Sequence, residues 1–224
     1  VATNVISANT ATATGGAFYA NDTKTTVNRN TIFSNTAPYG GGFHLFIASK
    51  IVVQDNHLYS NTATLAGGAF SLDASSPVIE RNYITANVAI TGGGVYLSNF
   101  SGASLTQNWI ISNTATDSGG GVYLKQSDAL LDQLTIISNT ARLGGGFYSK
   151  LGSATFKRST VVSNTASFRG GGVYLDETAA TVQESTIYSN SAAADGGGVF
   201  VLRSSEAKLE NLDIRHNVAL SSGG

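Results

Sequence analysis

The stretch SNTARLGGGFY, residues 138–148, recurs with small changes along the chain, for example at 34–43, 60–70, 112–123 and 163–174. We take the Asn of the SNTA phrase as an anchor. The anchors are Asn9, Asn35, Asn61, Asn87, Asn113, Asn139, Asn164, Asn190 and Asn217. Six of the eight intervals between them are 26 residues, and the other two are 25 and 27. A fixed period of this length indicates a repeat architecture.

Each repeat carries apolar residues at fixed distances from its anchor. Position −3, three residues before the anchor, is always aliphatic, position −8 is always apolar, and position +2 is always Ala. Two further columns, mostly apolar, follow the glycines and begin with Phe18 and Ala20. The columns alternate with polar or aromatic positions, which is the period-2 pattern of strands that bury one face. These short, Gly-broken and β-branched segments argue against helical repeats.

The repeat predicts an all-β parallel β-helix, or β-solenoid, of about nine coils with about 26 residues and three short strands per coil. One coil cannot bury its own inner face, whereas a stack of coils buries a continuous core. Strands about 4.8 Å apart would give a rod roughly 40 Å long. We expect residues 1–224 to form a single β-solenoid domain, either a segment of a larger protein or a subunit of a polymer.

The anchor residues are expected to form a structural ladder along the rod. Asn at a turn tolerates left-handed backbone, and stacked amides hydrogen-bond to one another. A second, partial ladder is expected five residues earlier, at Asn4, Asn30, Asn56, Asn82 and Asn108. The Ala at +2 suits a tight corner. The glycine triplet suits positive φ or close packing at the next corner.

The same motifs resemble the repeats of the Chlamydia polymorphic outer-membrane proteins, which carry GGA[ILV] and FxxN motifs. GGAF stands here at 15–18 and 67–70, and IISN at 136–139 is one of many [ILV]xxN copies. The resemblance covers nearly the whole chain. It implies a right-handed parallel β-helix displayed on the cell surface as an autotransporter passenger with adhesive roles.

Composition narrows the function classes. Charged residues are 12% of the chain and the net charge is −1, so no basic patch suggests nucleic acid as a partner. No apolar run reaches the roughly 18 to 20 residues of a membrane span. The chain has no Cys, which excludes disulfides and thiolate metal sites. A Cys-free chain rich in Ser, Thr and Asn is typical of a secreted bacterial protein, so we expect an extracellular or bacterial cell-surface location.

Parallel β-helices also host polysaccharide lyases and hydrolases, which need clustered carboxylates, often with a basic residue. The column at position −6 alternates in sign from Arg29 through Asp55 to Arg81, and again from Arg158 to Glu184. We interpret this column as cross-coil ion pairs on an exposed face.

Other candidates for chemistry are isolated in the repeat. Asp176 and Glu177 have no matching acid in the adjacent coils, and His44, His57 and His216 occupy separate columns. The glycine runs lack the lysine and the helix of a phosphate-binding loop. We therefore expect no catalytic residue, no cofactor and no metal ion, and the chain is not predicted to be an enzyme.

Positions −4 and −2 flank the buried aliphatic residue and should point outward, yet many of them are apolar. The resulting candidate lateral interface comprises Phe33, Tyr59, Tyr83, Trp109, Ile111, Ile137, Val162 and Tyr188. A contiguous apolar stripe indicates an interface. The alternative is that these residues only reflect β-propensity, because aromatic and β-branched side chains pack well between strands.

A second outward column follows the glycines and contains the candidate glycan-stacking stripe Tyr96, Tyr123, Tyr148 and Tyr174. Repeated tyrosines either stack against sugar rings or stack against one another as a ladder, and the ladder is the favoured interpretation.

The functional hypothesis is an extracellular structural or adhesive β-solenoid that self-associates, end to end into a filament or laterally, and binds host-cell or surface glycans. The alternative is a β-helical carbohydrate-active enzyme or a tailspike-like glycan-binding protein. An aligned acidic cluster would favour the enzyme, and binding without turnover would favour the adhesive protein.

Overall fold

A computed structural model describes residues 1–47, 49–203 and 206–224. The chain forms a parallel β-solenoid in which each strand pairs with its equivalent in the next coil. Four sheets run along the rod, so each complete coil has four short strands. We number them sheets 1 to 4, in the order in which a coil passes through them.

Sheets 1 and 2 carry the columns at positions −8 and −3. The strands of sheet 1 are Thr26–Asn28, Val52–Gln54, Val78–Glu80, Ser104–Thr106, Leu130–Asp132, Thr155–Lys157, Thr181–Gln183 and Lys208–Glu210. Those of sheet 2 are Val5–Ser7, Thr31–Phe33, His57–Tyr59, Tyr83–Thr85, Trp109–Ile111, Thr135–Ile137, Thr160–Val162, Thr186–Tyr188 and Asp213–Arg215.

Sheets 3 and 4 lie on either side of the glycine corner. The strands of sheet 3 are Thr36–Tyr39, Thr62–Ala66, Val88–Thr91, Thr114–Ser118, Thr140–Leu143, Thr165–Arg169, Ser191–Ala192 and Val218–Ala219. Those of sheet 4 are Phe18–Asn21, Phe43–Phe46, Phe70–Asp73, Val95–Ser98, Val122–Lys125, Phe147–Lys150, Val173–Asp176 and Val199–Leu202.

Sheet 3 was not predicted, because the sequence indicated three strands per coil and a tight corner at the Ala. In the repeat at 138–148, Thr140–Leu143 is a strand and Ala141 is its buried residue. Ala is only weakly hydrophobic, and a strand such as Thr140–Leu143 with a single buried residue shows no alternation of apolar and polar positions. The segment therefore reads as a turn even though its backbone is extended.

Two corners of each coil place a left-handed residue immediately before an Asn position. Ser138 has φ 55° and precedes Asn139, and Gln107 has φ 54° and precedes Asn108. The prediction that the anchor Asn itself adopts left-handed backbone was wrong. The anchor turns its side chain into the rod to make hydrogen bonds, while the exposed residue before it makes the corner.

The anchor ladder is confirmed. Asn139 Nδ2 donates to Oδ1 of Asn164 and to the carbonyl of Ile110, both at 2.9 Å. Its Oδ1 accepts from the backbone N–H and from Nδ2 of Asn113, at 2.9 and 3.0 Å. The other Nδ2–Oδ1 contacts of the ladder, from Asn9 to Asn217, also measure 2.9 to 3.0 Å. The partial ladder from Asn4 to Asn108 is formed as well.

The glycine corner uses both properties expected of it. Gly144 has φ 61°, a conformation that L side chains rarely adopt. Gly145 packs against the next coil, where an added Cβ would lie 2.5 Å from the carbonyl oxygen of Thr165 and 2.6 Å from that of Gly171. Coils can therefore stack at the strand spacing only if this position has no side chain.

The inward columns of sheets 1, 2 and 4 form one continuous hydrophobic core that runs along the rod axis. Aromatic residues stack within it, with ring centroids 4.9 Å apart for Phe18 and Phe43 and 5.0 Å apart for Phe43 and Phe70. This rigid core leaves the outward columns, and the corners between sheets, as the surfaces available for function.

Candidate functional site

All eight residues of the candidate lateral interface lie on the outer face of sheet 2, in two columns. Tyr83 and Trp109 belong to the column at position −4, beside the corner with sheet 1, and the other six belong to the column at −2. The side chains are partly exposed, except that Val162 is buried. The outward orientation predicted for this stripe is therefore confirmed for seven of the eight residues.

The rings on this face are arranged as flat stacks along the rod. Tyr83 and Trp109 lie 4.6 Å apart with 3° between their planes, and Phe33 and Tyr59 lie 4.9 Å apart with 1° between theirs. Parallel pairing in register places equivalent side chains on top of one another, and this produces the stacking. Tyr83 is 45% exposed, so the first pair is an accessible aromatic surface.

The Tyr83–Trp109 pair lies between two cavities along the corner of sheets 1 and 2, and we call this surface the Trp109 groove. One cavity, of about 430 Å³, is lined by Arg29, Asn30, Thr31, Asp55, Asn56, His57, Arg81, Tyr83 and Trp109. The other, of about 320 Å³, is lined by Arg81, Gln107, Trp109, Gln133 and Thr135. Five successive coils contribute, so at the strand spacing the groove is roughly 20 Å long.

The polar wall of the Trp109 groove is the column at position −6. Arg81 Nε donates to Asp55 Oδ1 at 2.9 Å, and Arg81 Nη1 lies 3.0 Å from Glu80 Oε1. The hydrogen bond to Asp55 raises the pKa of Arg81 above its ordinary value, so the guanidinium stays charged. The Arg81–Asp55 pair predicted from the alternating signs is confirmed.

The rest of this wall offers amide donors and acceptors, an imidazole and one further guanidinium, that of Arg29. Gln107 Nε2 donates to Gln133 Oε1 at 2.9 Å on the exposed surface. This bond does not use the amide oxygen of Gln107 or the amide NH2 of Gln133, so both can bind a ligand. His57 Nε2 lies 3.3 Å from Thr85 Oγ1. Arg29 forms no ion pair with any residue that the structure describes.

The second sign alternation predicted for this column is not formed. Arg158 pairs with Asp132 of the preceding coil, with Nε 2.9 Å from Oδ1, rather than with Glu184. Asp132 ends a strand of sheet 1 beside the corner, so its carboxylate reaches the Arg158 fork. This hydrogen bond holds the pKa of Asp132 below its ordinary value.

A model of the family described as "right handed beta helix region" matches residues 1–141 of the chain. The chain belongs to this β-helix family. No curated protein and no solved structure matches the sequence. The match supports the β-helix fold that the Chlamydia-like motifs imply. It also indicates that the β-helix is right-handed. In the described residues, no helix is long and apolar enough to cross a membrane.

The candidate glycan-stacking stripe was expected to be exposed, because it is an outward column, but most of it is buried. Tyr123, Tyr148 and Tyr174 are buried and form a second hydrophobic cluster, with Tyr96 partly buried at its edge. Burial raises the pKa of Tyr123 and Tyr148 well above the ordinary value. These tyrosines contact one another as the favoured ladder predicts, but only Tyr96 and Tyr123 are stacked, while Tyr123–Tyr148 is tilted and Tyr148–Tyr174 is edge to face. The stripe offers sugars no continuous surface.

The reason lies in the corner between sheets 3 and 4, which is concave on the outside. An added Cβ on Gly144 would lie 2.8 Å from Cβ of Tyr148, so the tyrosine lies directly over the corner. Leu143, at the end of its sheet 3 strand, packs against the same cluster. The outer faces of the two sheets thus cover each other's side chains, and we call this the tyrosine groove.

The three histidines of the β-helix remain separate. His44 is buried in the tyrosine groove, His57 lines the Trp109 groove, and His216 is the left-handed residue before Asn217. Within residues 1–47, 49–203 and 206–224, no three His, Asp or Glu side chains form a group that could hold a metal ion.

The sequence analysis named Tyr83 and Trp109 but missed their polar neighbours as members of one site. The column at position −6 was interpreted only as cross-coil ion pairs, which included Arg81 and gave Gln107 and Gln133 no role. The two columns stand two residues apart, because position −6 is the left-handed corner residue and position −4 opens the sheet 2 strand that follows. Whether two such columns line one groove depends on the angle of the corner, which the spacing of residues does not give.

Proposed function

We propose that this β-helix is an extracellular or cell-surface adhesive protein that binds a neutral oligosaccharide in the Trp109 groove. The observation that carries the proposal is the exposed, coplanar Tyr83–Trp109 pair between two cavities whose walls carry Arg, Asp and Gln side chains. The proposed glycan contact therefore lies on sheet 2.

A sugar ring presents an apolar face of C–H groups and a rim of hydroxyls. The Tyr83–Trp109 pair matches the apolar face, since aromatic rings bury large areas at low entropic cost. Arg81 and the Gln107–Gln133 pair match the rim, because hydroxyls both donate and accept hydrogen bonds. Arg29 and Arg81 together balance the charges of Asp55 and Glu80, so the wall favours a neutral sugar over a strongly charged one.

The groove runs parallel to the rod across five coils, which suits a linear chain of several sugar units. Its side chains stand on strands and in corners held by the Asn ladders. Preorganised residues lose little conformational entropy on binding, so weak contacts add up to useful affinity.

The surface location is supported by the motifs and the composition. The GGAF and [ILV]xxN copies resemble the motifs of Chlamydia polymorphic outer-membrane proteins, which are adhesive passengers, and the chain has no Cys. A tailspike-like glycan-binding protein would use the groove in the same way.

The test is binding of a panel of neutral oligosaccharides, followed by calorimetry on the best ligand with wild type and Trp109→Thr. Thr occupies this column in three later coils, at 135, 160 and 186, so the variant is compatible with the sheet. We expect its affinity to fall about tenfold or more, since one lost aromatic stack is worth about 1.4 kcal/mol.

Tyr59→Thr is the matched control, because Tyr59 lies on the same face but lines neither cavity. It should bind as wild type does. Unchanged binding by Trp109→Thr, or no ligand in the panel, would overturn the proposal. Appearance of new reducing ends during incubation would instead favour the competing hypothesis of a carbohydrate-active enzyme.

A further inference from the structure

The fold buries one of the three histidines of the chain, His44, and leaves the other two exposed. His44 is 6% exposed, whereas His57 and His216 lie on the surface. It stands in the outer column of sheet 4, whose other members are Tyr19, Ser71, Tyr96, Tyr123, Tyr148, Tyr174 and Phe200. Histidine is the only residue type of this column that ordinarily changes charge near neutral pH. Its titration would therefore place a charge inside the tyrosine groove.

Three aromatic rings pack around the imidazole of His44. The ring of Tyr19, in the preceding coil, stacks on it at 5.8 Å with 12° between the planes. Tyr39 approaches from sheet 3 at 6.1 Å, and Phe46 of the same strand lies at 6.0 Å. Ser71, the partner in register in the next coil, is itself buried. This environment suits a neutral ring.

The Nδ1 atom of His44 is buried and has no hydrogen-bond partner among the described residues. Neutral imidazole carries one N–H and one lone pair, so Nδ1 leaves either a donor or an acceptor unpaired, depending on the tautomer. In the imidazolium ion both nitrogens are donors, and the ring carries a full charge. Burying an unpaired charge costs far more than burying an unpaired neutral group. The packing of His44 therefore opposes its protonation.

The charged and titratable groups near His44 do not reverse this effect. Asp73 favours a positive imidazole, but its Oδ1 already accepts a hydrogen bond from Asn99 Nδ2 at 2.6 Å. The other titratable groups that line the cavity beside His44 are Tyr19, Tyr39, Tyr96 and Lys125. None of these is an acid that could pair with an imidazolium. Burial is the larger influence, and it lowers the pKa of His44 below the ordinary value for histidine.

A histidine that folding keeps neutral makes stability depend on pH in one direction. Its contribution is complete above the ordinary histidine pKa of about 6.5 and is lost progressively as the pH falls below that value. The loss falls on the least covered part of the tyrosine groove. Tyr19 is 52% exposed and Tyr39 is 39% exposed, whereas Tyr123, Tyr148 and Tyr174 are buried. Opening the groove at His44 therefore uncovers little further aromatic surface.

We propose that His44 is a pH-sensitive switch that opens the tyrosine groove at its N-terminal end in acid. The neutral ring packs sheet 3 against sheet 4 through Tyr39. The imidazolium leaves its buried position for water, so the strands Thr36–Tyr39 and Phe43–Phe46 lose their contact across the groove. The later coils stay closed, because their tyrosines do not titrate in this range. The switch is independent of the Trp109 groove, which lies on sheet 2.

The experiment is amide hydrogen exchange followed by mass spectrometry, on wild type and His44→Phe, at pH 7.5 and at pH 5. Phe stands in this column at 200, so the variant keeps a ring and loses the titration. Comparing the two proteins at the same pH cancels the intrinsic pH dependence of exchange. The ratio of exchange rates in residues 36–47, wild type over variant, should rise about fivefold or more at pH 5, since each unit of pKa difference is a factor of ten.

His216→Ser is the matched control, because His216 is exposed and Ser stands in its column at 138, 163 and 189. Its exchange in residues 36–47 should equal that of wild type at both pH values. An NMR titration of the wild-type histidine side chains gives a second readout that needs no variant. His44 should titrate at a lower pH than His57 and His216. If His44→Phe does not fold, His44→Gln replaces it.

A ratio that does not change between pH 7.5 and pH 5 would overturn the proposal. The same holds for an equal rise in residues 147–176, which would show a general effect of acid, and for a His44 that titrates together with the exposed histidines. Oligosaccharide binding in the Trp109 groove at pH 7.5 should be the same in His44→Phe and wild type, so failure of one proposal can be told from failure of the other.

Discussion

At the scale of single residues, the β-helix depends on one polar side chain per coil that is buried at the corner of sheets 2 and 3. The amide of Asn139 makes two hydrogen bonds as donor and two as acceptor, all within the rod. Asn is the residue whose short side chain carries both functions. Loss of an amide leaves partners in two neighbouring coils unsatisfied.

We therefore predict that Asn139→Ala lowers the free energy of unfolding by about 3 kcal/mol or more, because buried donors and acceptors lose their partners. Chemical denaturation followed by circular dichroism measures the loss. Asn108→Ser is the control, since the same column holds Ser at 159 and 185. Its cost should be about 1 kcal/mol. Equal losses in the two variants would show that the ladder hydrogen bonds contribute little.

At the scale of strands and corners, the glycine triplet joins sheets 3 and 4 and sets the angle between them. Its first residue takes positive φ, and its second lies in contact with backbone atoms of the next coil. The concave angle that results decides which outward columns meet water. Strands of only two to five residues thus depend on their corners as much as on their own alternation of buried and exposed residues.

Gly145→Ala should destabilise the rod by about 2 to 3 kcal/mol, because the new Cβ meets carbonyl oxygens of Thr165 and Gly171 that cannot move separately from their sheets. Thermal unfolding measures the effect. Gly102→Ala is the matched control. Its Cβ would lie no closer than 3.3 Å, from Ser76 Oγ, and Gly102 is exposed. A similar shift in both variants would contradict the packing argument.

At the scale of the whole molecule, the first and the last strand of each sheet pair with only one other strand of the chain. The terminal strands of sheet 2 are Val5–Ser7 and Asp213–Arg215. Edge strands offer unpaired backbone groups to any strand of matching direction. End-to-end stacking and lateral association through the outer face of sheet 2 are two proposed routes to self-association, and both stay predictions.

We predict that the chain forms filaments with an axial repeat of about 4.8 Å, visible by electron microscopy and diffraction. Ile214→Lys should shorten them, because this exposed residue of the terminal strand would carry a charge into an end-to-end joint. Tyr188→Thr tests the lateral route in the same preparation. Single rods at every concentration would rule out both routes.

The sequence alone determines the period, the parallel stacking, the inward columns and the Asn ladders. In a parallel stack every residue lies beside its own equivalent one coil away, so a column in the alignment of repeats is a column in space. Only the tertiary structure decided which outward columns are accessible, that sheet 3 exists, and that Arg81 and Trp109 share a groove. Those features depend on the angle between neighbouring sheets. That angle is set by backbone dihedrals at the corners and by packing across them, and no periodicity in one chain records it.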